Sequence, residues 1–233
     1  MATGNQFIKT PNKPKLGPFG ISPPFTFDFK QPTCQTLSLK NNQPDNRPSY
    51  SHMFMETCVL WRKRSTCQRI QTASVIVKNN NIISIGYNGV PCNQKHCTTF
   101  WKQFFNCAKG QNQQVDTDIN SFYQFIVKEF GFNVELMRAF QTYEEFIVSD
   151  LFSQLHHSWS DKYELHAELN ALLQAETNTH GATLYTLYSP CRQCAKSIIS
   201  AKIVKVVYYE KYLRDIEALE LLQRSGIIIE KIQ

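Results

Sequence analysis

Between His166 and Ile232 three helical segments alternate with three strand-like ones, and this alternation constrains the fold more than anything else in the chain. The spacing predicts helices from about His166 to Glu176, Cys191 to Lys202 and Leu213 to Arg224. Strands are predicted at Ala182 to Leu187, Val204 to Tyr209 and Ile227 to Ile232. Short strands separated by single helices imply a mainly parallel sheet covered on both faces. Upstream, the β-rich runs Ala73 to Lys78 and Ile82 to Tyr87 are joined by Asn79, Asn80 and Asn81, residues that tolerate the positive φ of a tight hairpin. The hairpin makes the sheet mixed and five-stranded, and the expected architecture is an α/β three-layer α/β/α sandwich.

A chain of 233 residues suffices for one ordinary domain with appended material. Tyr50, Met53, Phe54, Thr57, Cys58 and Trp61 recur at helical spacing, so the folded domain is expected to span 50–233. Eight of the ten prolines precede Tyr50, where no apolar periodicity is sustained; residues 1–49 read as a mostly irregular extension. Phe19, Phe25, Phe27 and Phe29 would let that extension dock along the domain or a neighbouring subunit. Within the domain, residues from about 98 to 155 carry helices near Phe122 to Phe130 and Tyr143 to Leu155 but no chemical motif, and read as an insertion.

The formal net charge is +6, with Lys9, Lys13, Lys15, Lys30, Lys40 and Arg47 concentrated in the extension. Such an arm is ordinarily solvated, so nucleic acid is not the expected partner. The longest apolar runs fall short of a membrane span. Met1 to Lys15 are polar without an apolar segment and cleavage site, so the expected location is the cytosol, or the host cytoplasm for a viral protein. The eight cysteines then read as metal ligands, reactive thiols or core residues rather than disulfides.

The sharpest chemical signal is His166-Ala167-Glu168 followed by Ser189-Pro190-Cys191-Arg192-Gln193-Cys194, each opening a predicted helix. Cysteines three apart on one helical turn share a face and can grip one ion. The partial positive charge of a helix N-terminus favours the thiolate that ligation needs. His166, Cys191 and Cys194 supply three zinc donors and leave the fourth tetrahedral position for water, the mark of a catalytic rather than a closed site. Zinc lowers the pKa of such water to about 7. Glu168, two residues from the histidine, then reads as the proton carrier. Alone, Cys-x-x-Cys could be a redox pair, His166 a core histidine and Glu168 a solvated charge. A redox motif would follow the first strand of its domain, however, and a zinc ribbon would need a second Cys-x-x-Cys. The combination is the signature of nucleobase zinc deaminases.

On these residues, together with Gly86-Tyr87-Asn88-Gly89, Trp159-Ser160 and Glu164 through Ala171, the chain from about Tyr50 to its end resembles the cytidine deaminase superfamily, and within it the bacteriophage-type deoxycytidylate deaminases. The resemblance implies a cytidine deaminase-like fold and hydrolysis of dCMP to dUMP and ammonia, a supply of thymidylate precursor. It implies that Asn88 binds the sugar, that the Ala167 backbone amide binds the ring carbonyl, and that Ser189 and Tyr212 stand on the substrate side; Tyr212 could equally be a surface tyrosine. Gly86, Tyr87, Asn88 and Gly89 match a regulatory loop, implying dCTP and dTTP as effectors, Mg2+ with the regulatory nucleotide, and a homo-oligomer of hexamer type. Cys67, Cys97, His156 and Glu164 match an additional structural zinc site, with Cys92 and His157 as competing ligands. Lys162, Arg192 and Lys196 are available for the phosphate, and the residues do not choose among them. The chain departs from the family at Gln71-Thr72-Ala73-Ser74, where relatives carry a basic residue and Val-Gly-Ala.

Two rival readings remain at this stage. One is a nucleic-acid editing deaminase that holds a strand on its basic arm. The other is a non-catalytic nucleotide-binding protein with structural zinc, which the presence of Glu168 argues against.

Overall fold

The computed structural model describes residues 47–111, 116–176 and 178–232. The expected extension lies almost entirely outside the described residues. The domain opens with helix α1 (Tyr50–Trp61), whose first turn is capped by the Ser49 hydroxyl accepting the His52 N–H. Strands β1 (Ala73–Lys78) and β2 (Asn81–Tyr87) follow as an antiparallel hairpin. Its turn is made by Asn79 and Asn80 at φ 51° and 58°, left-handed backbone that asparagine accepts; Asn81 already belongs to the strand.

Helices α2 (Cys97–Ala108), α3 (Thr117–Phe130), α4 (Tyr143–Ile147) and α5 (Asp150–Tyr163) come next. The single helix expected from Tyr143 to Leu155 is two: Ser149 interrupts it, its hydroxyl donating back to Phe146 O and accepting the Phe152 N–H, which ends one helix and caps the next. The α2 helix is not among those expected, although its buried residues Cys97, Phe100, Trp101, Phe104 and Phe105 recur at helical spacing.

The alternation then appears as expected: α6 (Ala167–Gln174), β3 (Thr183–Tyr188), α7 (Arg192–Ser200), β4 (Lys205–Glu210), α8 (Glu217–Arg224) and β5 (Ile228–Lys231). The predicted helix beginning at Leu213 splits into a 3-10 turn, Leu213–Asp215, and α8. Strand order is β2-β1-β3-β4-β5. β1 pairs antiparallel with both β2 and β3, whereas β3-β4 and β4-β5 are parallel, so the sheet is evenly mixed rather than mainly parallel.

The layers follow from strand alternation. Val75, Val77, Tyr185, Leu187 and Val207 face α1 through Phe54, Met55 and Cys58. Ile76, Leu184 and Val206 face the other way, onto Ala171, Ile198, Ala218 and Leu222 of α6, α7 and α8. Each fully buried aliphatic or aromatic side chain contributes about 1.5–3 kcal/mol. The departure at Ser74 is satisfied in place: its hydroxyl donates to Thr186 Oγ1 at 2.9 Å, across the register pair joining β1 to β3.

The inserted helices build a separate apolar cluster in which Trp101, Phe104, Phe122, Phe146, Phe152 and Trp159 are each at most 2% exposed. Their rings meet edge to face, as in Trp101 against Phe122 at 5.7 Å and 86°. Cys67 and Cys97 sit at the margin of this cluster. Among the described residues, no helix is long and apolar enough to cross a membrane.

Candidate functional site

Two helix starts converge. His166 is the N-cap residue of α6 and Cys191 that of α7, and neither uses its side chain to cap, which leaves both free for another role. Cys191 Sγ lies 3.2 Å and Cys194 Sγ 3.4 Å from His166 Nδ1, and the three donor atoms all lie within 4.8 Å of one another. A tetrahedral zinc with ordinary bond lengths would set such sulfur–nitrogen edges at about 3.5 Å, so the donors fit the ion in kind and in spacing.

Hydrogen bonding from Cys194, ahead of the burial that opposes it, and then the His166 imidazole bring the Cys191 thiol down to about 4. The Cys191 hydrogen bond in turn lifts His166 to about 9. Glu168 is buried in the first turn of α6, with one carboxylate oxygen 3.6 Å from the Cys194 thiol that donates to it. Burial raises its carboxyl above the usual carboxylate range.

His166, Glu168 and Cys191 line a cavity of about 100 Å³ that also exposes Thr72, Asn88, Tyr188, Ser189 and Tyr212. A second hollow of about 700 Å³ opens beyond it and shares His166, Cys191 and Tyr212. Ligand sites ordinarily occupy about 300–1,000 Å³, so the outer hollow admits what the inner one does not. His157, Ser160 and Asp161 line the inner wall and were not singled out from the sequence as cavity residues. Their one legible signal was their place on the helix that runs into His166.

The Gly86-Tyr87-Asn88-Gly89 segment braces this site. A Cβ on Gly86 would stand 2.2 Å from Ala171 N and 2.3 Å from Ala167 O, so β2 and α6 touch backbone to backbone only because residue 86 has no side chain. Asn170 Nδ2 donates to Tyr87 O at 2.8 Å. Gly89 and Leu165 exchange backbone bonds at 3.1 and 2.8 Å, the bridge that holds His166 in place. The Asn88 side chain lines the cavity while donating to Ile70 O at 2.8 Å and accepting the Thr72 N–H at 2.9 Å. One N–H and one lone pair are left for a ligand. Ala167 is the first residue of α6, so its N–H belongs to the turn that finds no acceptor within the helix. Ser189 Oγ accepts the Tyr212 N–H at 2.8 Å, fastening that aromatic to the cavity rim.

Of the basic residues left open by the sequence, Lys162 sits 4.1 Å above the Phe125 ring and Arg192 pairs with Asp215 and Glu217; both border the outer hollow. Lys196 is exposed on α7.

A second donor cluster lies against the same cavity. Cys67 and Cys97 place sulfur 3.4 and 3.3 Å from His156 Nε2, and with Glu164 all four donor atoms lie within 4.8 Å of one another. Glu164 Oε1 is buried with no hydrogen-bond partner, while Oε2 accepts from Ser160 at 2.8 Å. Burial, then the Cys67 charge, raises the Glu164 carboxyl to about 7. Hydrogen bonding with Cys97 brings Cys67 down to about 4. Of the two competitors, Cys92 is exposed and His157 turns to Asp161 at 3.6 Å.

A mixed sheet flanked by helices, with a histidine and a cysteine pair at two helix starts and a buried carboxylate beside them, defines a zinc-dependent deaminase. The model of the cytidine and deoxycytidylate deaminase zinc-binding region matches residues 48–210, and the chain belongs to that family. The deoxycytidylate deaminases of Enterobacteria phages T2 and T4 are 33% and 32% identical over 177 residues, 74% of this chain and 87% and 84% of theirs. The fold is shared with the dCMP deaminase from the cyanophage S-TIM5, solved in complex with dCMP and dUMP: TM-score 0.51, 23% identity, 81% of this chain and 100% of that one.

Proposed function

We propose that the chain hydrolyses dCMP to dUMP and ammonia. The observation that carries the reading is the meeting of His166, Cys191 and Cys194 beside buried Glu168, at a cavity lined by His166, Glu168 and Cys191, in a chain similar over most of its length to phage enzymes of that name. His166, Cys191 and Cys194 would hold zinc, which when bound supplies Lewis-acid activation of water. Glu168 would take a proton from the attacking water and pass it to N3 as the oxygen bonds to C4, then take the proton of the new C4 hydroxyl and give it to the amine, which leaves as ammonia while the C4 carbonyl forms; its raised affinity for protons suits a carrier that is charged and neutral in turn. The Ala167 N–H, the remaining Asn88 amide hydrogen, Ser189 and the Tyr212 ring orient the nucleotide.

The reading extends to a second, structural zinc on Cys67, Cys97, His156 and Glu164, supported by their spacing and by the orphaned Glu164 oxygen. It also extends to control by dCTP and dTTP, with Mg2+, at Gly86, Tyr87, Asn88 and Gly89, and to assembly into a homo-oligomer of hexamer type. Sequence likeness alone supports these.

Purified protein is to be offered dCMP, dCTP, cytidine and single-stranded DNA, with ammonia as the readout. Release from dCMP alone supports the reading, and release only from the strand replaces it with editing.

A further inference from the structure

The loop that carries Tyr212 is tied to the helix that carries Cys191 and Cys194 by groups that make no contact with the metal donors' own chemistry. Because Cys191 occupies the N-cap position of α7 and keeps its sulfur for other work, the helix has no cap from its own chain start. Asp215, 23 residues beyond Arg192 in sequence but adjacent in space, supplies one: its Oδ2 accepts the Arg192 backbone N–H at 2.5 Å. The Arg192 guanidinium reaches back, with Nε 3.8 Å from Asp215 Oδ1 and a terminal nitrogen on Glu217. One arginine thereby joins the start of α7, the 3-10 turn Leu213–Asp215 and the first residue of α8. At the other end of the same segment the Tyr212 N–H is held by Ser189.

We infer that Arg192 and Asp215 are positioning residues: together they press the 212–217 segment against α7 and so fix where Tyr212 stands at the cavity rim. The inference rests on the proposed dCMP reading for its kinetic part. Arg192 was available on charge alone as a phosphate ligand, and in the structure two carboxylates already occupy it. Single exposed ion pairs contribute little, and Arg192 is 51% exposed. What raises this arrangement above a solvated pair is that one guanidinium serves two carboxylates, one of which also holds a backbone N–H, so that loosening any member frees the 215–217 end of the loop and leaves Ser189 alone to hold the Tyr212 end. The device acts on placement, so its loss falls on KM and spares kcat.

The test is a double-mutant cycle read two ways in the full chain. In substrate-free protein, Arg192→Ala and Asp215→Ala are to raise hydrogen exchange of the 211–216 backbone amides, with Arg192→Lys restoring part of the protection. In the dCMP assay each is to raise KM about five- to tenfold with kcat within about twofold, and in a Tyr212→Ala background the further rise is to stay below about twofold, because coupled residues are not additive. Zinc content is to be unchanged throughout. Unaltered amide protection in Arg192→Ala overturns the inference, as does an equal KM rise with and without Tyr212. A protein that leaves dCMP untouched while its loop loosens would sink the substrate reading and leave the clamp standing.

Discussion

Three side chains at the site answer to different kinds of substitution. Glu168→Gln keeps the shape of the cavity floor and removes the proton carrier, so zinc content should match the parent while turnover falls by on the order of 10²–10⁴. Metal analysis beside a steady-state assay checks both halves, and full activity would dismiss Glu168 from the mechanism. Asn88→Ala differs in kind. Two hydrogen bonds to the backbone of residues 70 and 72 vanish, leaving buried partners, so stability should drop by about 1–3 kcal/mol in denaturant melts alongside any loss of affinity. The candidate metal donors and Glu168 could be proposed from residue types and spacing, whereas Tyr212 comes only from the family resemblance. The bracing work of Asn88 could not be proposed, because its partners sit sixteen and eighteen residues away and nothing in the local pattern points to them.

Among the elements, the strand-helix alternation after residue 166 was legible because each segment has one period and sharp ends. The break in the α4-α5 stretch was not, since Ser149 sits within a continuous apolar rhythm and ends the helix only by bonding its own backbone. That the sheet is mixed followed from the hairpin; what escaped sequence reasoning is that β1 also pairs antiparallel with β3, a neighbour decided by tertiary placement. Contact between elements yields a sharp expectation at Gly86. Gly86→Ala inserts a methyl into the backbone of α6, which cannot give like a side chain. It should destabilise by about 1–3 kcal/mol or more and weaken zinc retention, since α6 carries Glu168 and follows His166. Thermal melts with and without added zinc would show it, and a neutral Ala would mean that the two elements are not in contact.

A pH effect belongs to α3. Its N-cap is Asp116, whose carboxylate accepts the Asp118 N–H and pairs with Lys95. The Lys95 hydrogen bond holds its carboxyl below the ordinary value of 3.8. A folded-state pKa below the unfolded one adds stability above 3.8 that is lost as pH falls through the folded value. Asp116→Ala should therefore cost on the order of 1 kcal/mol at neutral pH, the ordinary worth of a cap, and the gap from the parent should narrow as pH falls below 3.8. Paired melts at neutral pH and below 3.8 decide it.

For the molecule as a whole, metal and fold are coupled. Ligands that bind only the folded state stabilise it in proportion to their occupancy, so chelation should lower the melting temperature and zinc should restore it. With both donor clusters filled the parent would carry two zinc ions per chain, and Cys67→Ser should carry one while retaining His166, Cys191 and Cys194; a parent holding a single ion would remove the second centre. The extended stretch Glu164-Leu165-His166 gives this coupling its form. Alternate residues of an extended chain point the same way, so the carboxylate of one cluster and the imidazole of the other look into a common hollow, spaced by one repeat of about 6.5–7 Å. The spacing of these two donor residues is therefore set by the peptide repeat itself. A single residue added at Leu165 would turn one of the two side chains out of the hollow, and the donor cluster to which it belongs would lose a ligand with one change of length.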